Sequence, residues 1–133
     1  MKKILFFLVI FFSAIEVSAQ SEEASKIIFE NIGKAFREGD ATQLAADFAA
    51  SFDVILPGNE GTFSKQQAEM ILKDFFNKNK PKGFVINHQG TSNDGSRYAI
   101  GTYRTASQSY RAYILLKYIG NKFLISQLQL EKD

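Results

Sequence analysis

The chain has 133 residues, with 16 Lys and Arg against 14 Asp and Glu, a formal charge of +2, one His and no Cys. The missing cysteine excludes disulfides, thiolate metal sites and thiol nucleophiles. The balanced charge excludes the concentrated basic face that captures nucleic acid, and the length suits one domain held together by its core alone.

Lys2 and Lys3 precede the apolar run Ile4 to Phe12, and Val17-Ser18-Ala19 follows a more polar stretch. This order predicts a secretory signal peptide over residues 1–19, with cleavage after Ala19. The run is about half of the ~20 residues that a bilayer span needs, so no permanent membrane anchor is expected. The predicted destination is the periplasm or the exterior. Removing the segment leaves 14 basic (16 − 2) and 13 acidic (14 − 1) residues, a net charge of +1.

The remaining chain, 20–133, reads as one domain. Ser21 opens a first helix, with Ile28, Ile32, Ala35 and Phe36 in one apolar stripe and Gly39 as its left-handed stop. Asp40 caps a second helix, Ala41 to Ala50. Residues 51–56 read as a strand, turned at Pro57 to Gly61 into the stub Thr62-Phe63. Ser64 caps a third helix running to Asn79, with Gln67 placed for a capping box and Ala68, Ile71, Leu72, Phe75 and Phe76 facing inward. Four strands between Phe84 and Leu130 follow, separated by short turns that leave no room for a crossover, so they form an antiparallel meander. The predicted fold is α+β: a curved sheet covered by three N-terminal helices, in the order α-α-β-β-α-β-β-β-β.

Three stretches carry a resemblance: Ala35-Phe36-Arg37-Glu38-Gly39-Asp40, Tyr98-Ala99-Ile100-Gly101, and Arg111 to Lys117. With the element order and length, they resemble the nuclear-transport-factor-like, cystatin-like α+β cone superfamily. Within it, the chain resembles a family of small secreted bacterial proteins of unknown function. The resemblance implies a cone whose helix-covered side holds a ligand and whose outer sheet face often pairs with a second copy. It selects no activity, because that superfamily hosts isomerases, dehydratases, cyclases and pure binders.

Register decides which side chains share a face. Two-residue loops at Asp94-Gly95, Ser107-Gln108 and Gly120-Asn121 place His88 opposite Gly101, Tyr103 opposite Ala112 and Ile114 opposite Gln127. Phe84, Ile86, Ala99, Gly101, Ala112, Leu116 and Ile125 then share the inner face with four polar residues, His88, Tyr103, Gln127 and Gln129. These four, with Gly101 leaving room, are the expected cavity lining. The outer face carries Tyr98, Ile100, Tyr113, Leu115, Leu124, Leu128 and Leu130, an apolar patch large enough to call for a partner.

His88 is the one candidate acid or base, with Asp47, Asp53 or Tyr103 as helper. Against this, each has an ordinary structural reading: a strand histidine, helix-end and strand carboxylates, and a buried hydroxyl with a backbone acceptor. Arg104 and Arg111 are expected opposite each other, which favours an anion between them or two side chains splayed into water. No spacing calls for a metal or cofactor. The sequence therefore reads as an exported binding or accessory module for a small apolar or amphipathic ligand, acting through the inner cavity or as a homodimer. The alternatives are an isomerase or hydrolase using His88 with Asp47 or Tyr103, and a subunit docking on a larger envelope protein.

Overall fold

The computed structural model describes residues 22–133. The expected signal peptide and the Ser21 cap lie outside them. Helix α1 covers 22–38 and ends at Gly39, whose φ of 64° is the left-handed conformation glycine adopts without cost. The buried stripe is Ser25, Phe29, Ile32, Ala35 and Phe36. It is rotated from the expected one: Phe29 is buried and Ile28 only half so. Asp40 caps α2, its Oδ1 accepting the Gln43 N–H at 3.0 Å.

Helix α2 covers only Ala41–Ala45, and strand β1 begins at Phe48 and runs to Leu56. The expected helix to Ala50 is therefore too long. The Asp47 carbonyl accepts the Ile125 N–H at 2.7 Å, and Phe48 pairs with Ile125. The sheet edge thus captures a backbone that alanine-rich propensity would have kept helical; tertiary pairing overrides propensity routinely.

Strand β2 (Asn59–Ser64) folds back antiparallel on β1. Ser64 then caps α3 (Lys65–Lys78) in a reciprocal capping box with Gln67, both bonds 3.2 Å. The meander follows as β3 (Gly83–Thr91), β4 (Arg97–Arg104), β5 (Ser109–Ile119) and β6 (Lys122–Lys132). The six strands order as β2-β1-β6-β5-β4-β3, with β1 parallel to β6 and the other pairs antiparallel. The chain returns from β1 to β6 only after α3 and the whole meander, so a parallel pair joins the β1–β2 hairpin to the meander without a crossover unit of its own.

The registers depart from the two-residue-loop expectation in an instructive way. The β4–β5 pairing is displaced by two residues, with Tyr103 opposite Tyr110, and a slip of two preserves faces. The β3–β4 pairing is displaced by one near its turn and by two beyond a bulge at Asn87. The β5–β6 pairing is as expected at Leu116–Ile125, then shifts by one past a bulge at Ser126. Each bulge inserts one residue and so inverts the faces on one side of it.

Leu128 and Leu130 accordingly lie buried in the core and Gln129 lies half-exposed on the other face, the reverse of the expected register. Leu128→Ala is expected to cost about 2–5 kcal/mol by leaving a cavity, whereas Gln129→Ala should stay within about 0.5 kcal/mol. Urea unfolding of the two variants checks the assignment; equal effects would contradict the bulge.

Candidate functional site

Among the described residues the middle of the inner face is filled by rings, and an open cleft of about 390 Å³ remains at its edge, lined by Leu56, Ile71, Phe75, Asn79 and Tyr110. Phe36 of α1 stacks on Phe84 with centroids 4.4 Å apart and meets Phe76 and Tyr103 edge-on at 5.7 and 5.9 Å. Ala99 and Ala112, fully buried, make room for these rings. Gly101 leaves no free space: a Cβ there would sit 2.5 Å from the Val85 carbonyl oxygen and 3.3 Å from the Phe84 ring. Its role is close approach of β3 to β4, not cavity lining.

Tyr103 is fully buried and its hydroxyl donates to the backbone carbonyl of Asn79 at the end of α3. Tyr110 donates to the Asn79 side-chain oxygen at 3.1 Å, and Asn79 Nδ2 donates to the Phe75 carbonyl. Burial, then the neighbouring Tyr110, pushes the Tyr103 hydroxyl above its ordinary range. A phenol so placed is a structural donor. Of the two readings of Tyr103, the buried hydroxyl with a backbone acceptor is the one the geometry supports.

The bulges relocate the other three expected cavity residues. Past Asn87, His88 pairs with Ile100 and is exposed. Past Ser126, Gln127 pairs with Leu115 and Gln129 with Tyr113. All three therefore lie on the outer face. His88 Nε2 is 3.4 Å from the Tyr98 hydroxyl, and the Tyr98 ring continues to Tyr113 in a stacked pair at 6.3 Å. A row His88–Tyr98–Tyr113 crosses three strands, and Gln129 lies beyond it on β6. The signal that could have found this row is Gly90. It sits opposite Tyr98, and only a residue without Cβ lets that ring lie across β3.

The proposed carboxylate helpers are remote. Asp47 precedes β1 and Asp53 lies on it, accepting from the Thr62 hydroxyl at 2.7 Å. β1 is separated from β3 by β6, β5 and β4. Four strand steps of ~4.8 Å put about 19 Å between Asp53 and His88, which leaves no Asp–His dyad. Nor do the arginines face each other: Arg104 pairs with Ser109, and Arg111 lies between Thr102 and Glu131. Their offset is diagonal, and a carboxylate already stands beside Arg111. A shallow cleft of about 200 Å³ lies here, lined by Arg111, Tyr113, Gln129 and Glu131. Among the described residues, no three His, Asp or Glu side chains converge as a metal ion would require.

The outer face is thus the candidate site. It is less apolar than expected, since Leu128 and Leu130 point inward, but it retains Ile100, Leu115, Leu124, Tyr98 and Tyr113, all half-buried. Its charge is segregated. Arg104, Arg111 and Lys117 stand on β4 and β5, while Asp53, Glu60 and Glu131 stand on β1, β2 and β6. Lys122, at the hairpin end of β6, is the exception on the acidic half. The boundary between the halves falls between β5 and β6, at the middle of the sheet.

Comparison with known proteins agrees with this architecture. A model of the domain of unknown function DUF4783 matches residues 29–131. A crystal structure of a DUF4783 family protein from Bacteroides ovatus is 32% identical, with a TM-score of 0.72, covering 77% of this chain and 93% of its own. Two more distant structures share the fold alone. An NTF-2 like protein of unknown function from Silicibacter pomeroyi is 12% identical, with a TM-score of 0.64 over 87% of this chain and 98% of its own. A domain of unknown function with a cystatin-like fold from Nostoc punctiforme is 13% identical, with a TM-score of 0.67 over 86% of this chain and 78% of its own. No curated protein matches. The α+β cone expected from the sequence is the fold observed.

Tyr103→Phe should cost about 1–3 kcal/mol, the desolvation left on the unpaired Asn79 carbonyl. The hydroxyl's raised folded-state pKa fixes the sign of a pH effect. Its stabilisation is complete below the unfolded value of about 10 and is lost as pH rises above it, because the unfolded chain then releases the proton first. The urea midpoint of the wild type should fall above pH ~10, and fall less in Tyr103→Phe.

Proposed function

The chain belongs to the DUF4783 family, and from that premise we propose that it is an exported, non-catalytic binding module that works through the outer face of its sheet, with a second copy of itself as the partner. The charge segregation about the sheet centre carries this reading. A two-fold axis near Tyr113 and Gln129 lays the basic half of one copy on the acidic half of the other, which is the self-complementarity an isologous dimer requires. The half-buried side chains of the Tyr98–Tyr113 row and Leu115 lie at the centre of that contact, where aromatic anchors contribute most.

The area suffices for a modest interface. Five strand spacings of ~4.8 Å by about eight residues of ~3.3 Å give about 600 Å² per partner. That is somewhat below the ~800 Å² of a standard interface, so the dimer is reversible and sensitive to ionic strength. The packed rings of Phe36, Phe84 and Tyr103, which occupy the middle of the inner face, support the same reading. Export rests on the Lys2-Lys3 start, the apolar run and Ala19.

Native mass spectrometry of the exported protein should give twice the mass of residues 20–133, with Gln20 as the first residue by terminal sequencing. Leu115→Glu places a charge at the contact centre and should give a folded monomer whose thermal midpoint no longer rises with protein concentration. A wild type that is monomeric at low salt and tens of micromolar would sink the dimer.

A further inference from the structure

We propose that the cleft between the β3–β4 turn and the β5–β6 hairpin binds an amphiphilic acid, a short apolar chain or ring ending in a carboxylate or phosphate. The cleft measures about 490 Å³, within the range of small-molecule sites. Arg97, Lys117, Tyr118, Ile119 and Phe123 line it, with the Asp94–Ser96 turn at its rim. It lies at the end of the sheet, away from the Tyr113–Gln129 centre of the outer face.

Its chemistry is two-sided. The Arg97 guanidinium lies 5.4 Å over the Phe123 ring and donates to the Gly95 carbonyl at 2.7 Å. Cation–π contact and one hydrogen bond fix its position, yet that bond uses only one of its five N–H donors. Neither Arg97 nor Lys117 forms an ion pair among the described residues. The one carboxylate present, Asp94, is turned into its own loop, accepting the Ser96 N–H at 3.0 Å and the Ser96 hydroxyl at 2.6 Å. The Arg97 donors left free, against one carboxylate committed to its own loop, favour an incoming anion.

Beside them stands apolar surface that folding leaves bare. Tyr118 is 58% exposed and Ile119 46% exposed, the one pair of consecutive large hydrophobics so exposed among the described residues. Phe123, edge-on to Tyr118 at 5.1 Å, forms the floor. A free inorganic anion would leave this wall unused, and an uncharged hydrocarbon would leave the donors unused. A ligand with both parts uses both.

The test is an NMR titration of the 15N-labelled exported protein with sodium decanoate, with 1-decanol and inorganic phosphate as the separate halves. Decanoate should give saturable shifts centred on Asp94 to Arg97 and Lys117 to Phe123, and bind more tightly than either half. Arg97→Gln should weaken it about tenfold, the loss of one charge-assisted bond. Because Arg97 also packs on Phe123, the exposed Lys117→Gln and Tyr118→Ser test head and tail separately, and each should weaken binding while the amide spectrum away from the cleft stays that of the folded wild type. Shifts centred elsewhere, absence of saturation, equal binding of decanol, or unaltered binding in all three variants would overturn the proposal. So would sedimentation with phosphatidylglycerol vesicles in the absence of decanoate shifts, which would assign the patch to a membrane surface.

Discussion

The fold depends on one buried polar arrangement, the hydroxyls of Tyr103 and Tyr110 meeting Asn79 where α3 ends. A helix terminus leaves carbonyls without intrahelical partners, and here that end faces the core. Tyr103 satisfies the Asn79 carbonyl from β4, and Tyr110 holds the side chain from β5. The same two rings touch Phe75 at 6.0 and 5.6 Å, so hydrogen bonding and packing position the helix together. Each aromatic pair contributes about 0.5–1.5 kcal/mol beyond area burial. Losing the polar anchor alone would leave a buried acceptor unpaired, which costs as much again. This arrangement docks α3 on the meander and fills the middle of the inner face.

Once the middle of the inner face is filled, polar side chains on the meander have to go elsewhere, and the β6 bulge sends two of them there. An ideal alternation would direct Gln127 and Gln129 into an aromatic and aliphatic core, where each would need a partner that the core does not offer. One inserted residue in β6 turns both outward and brings Leu128 and Leu130 in. The β6 bulge therefore serves the core, while the β3 bulge exchanges His88 for Gln89, which pairs with Ala99 and is exposed. Their consequence is an outer face richer in hydrogen-bonding groups and poorer in leucine than a bulge-free sheet would present.

The legibility of the sequence follows the same division. Caps at Asp40 and Ser64, the Gly39 stop, the α3 stripe and the element order are all encoded within a few residues, and all were readable. The fold and its family-level resemblance were readable for the same reason. The short α2 was not, because what ends it is pairing with Ile125, nearly eighty residues away in the chain. The site residues failed on parity. A bulge is one residue of irregularity with no strong local signature, and it inverts every side chain beyond it. Tyr103 was placed on the correct face because its strand was displaced by two, not by one. Gly90, whose position opposite Tyr98 marks the outward turn of β3, was informative only once its partner was known.

An outer-face module and an end-of-sheet cleft draw on different resources of the same sheet. The outer face offers shape, segregated charge and a central aromatic row, which suit a protein surface of equal size and opposite order. The cleft offers a fixed guanidinium above a ring and a bare Tyr118–Ile119 wall, which suit a small ligand with a head and a tail. The β5–β6 hairpin joins them: Lys117 and Leu124 pair at the outer face, one residue from the Tyr118–Phe123 pair at the cleft. A ligand that orders this hairpin would also order the edge of the outer face. That shared strand pair brings one substitution in the hairpin to bear on both places.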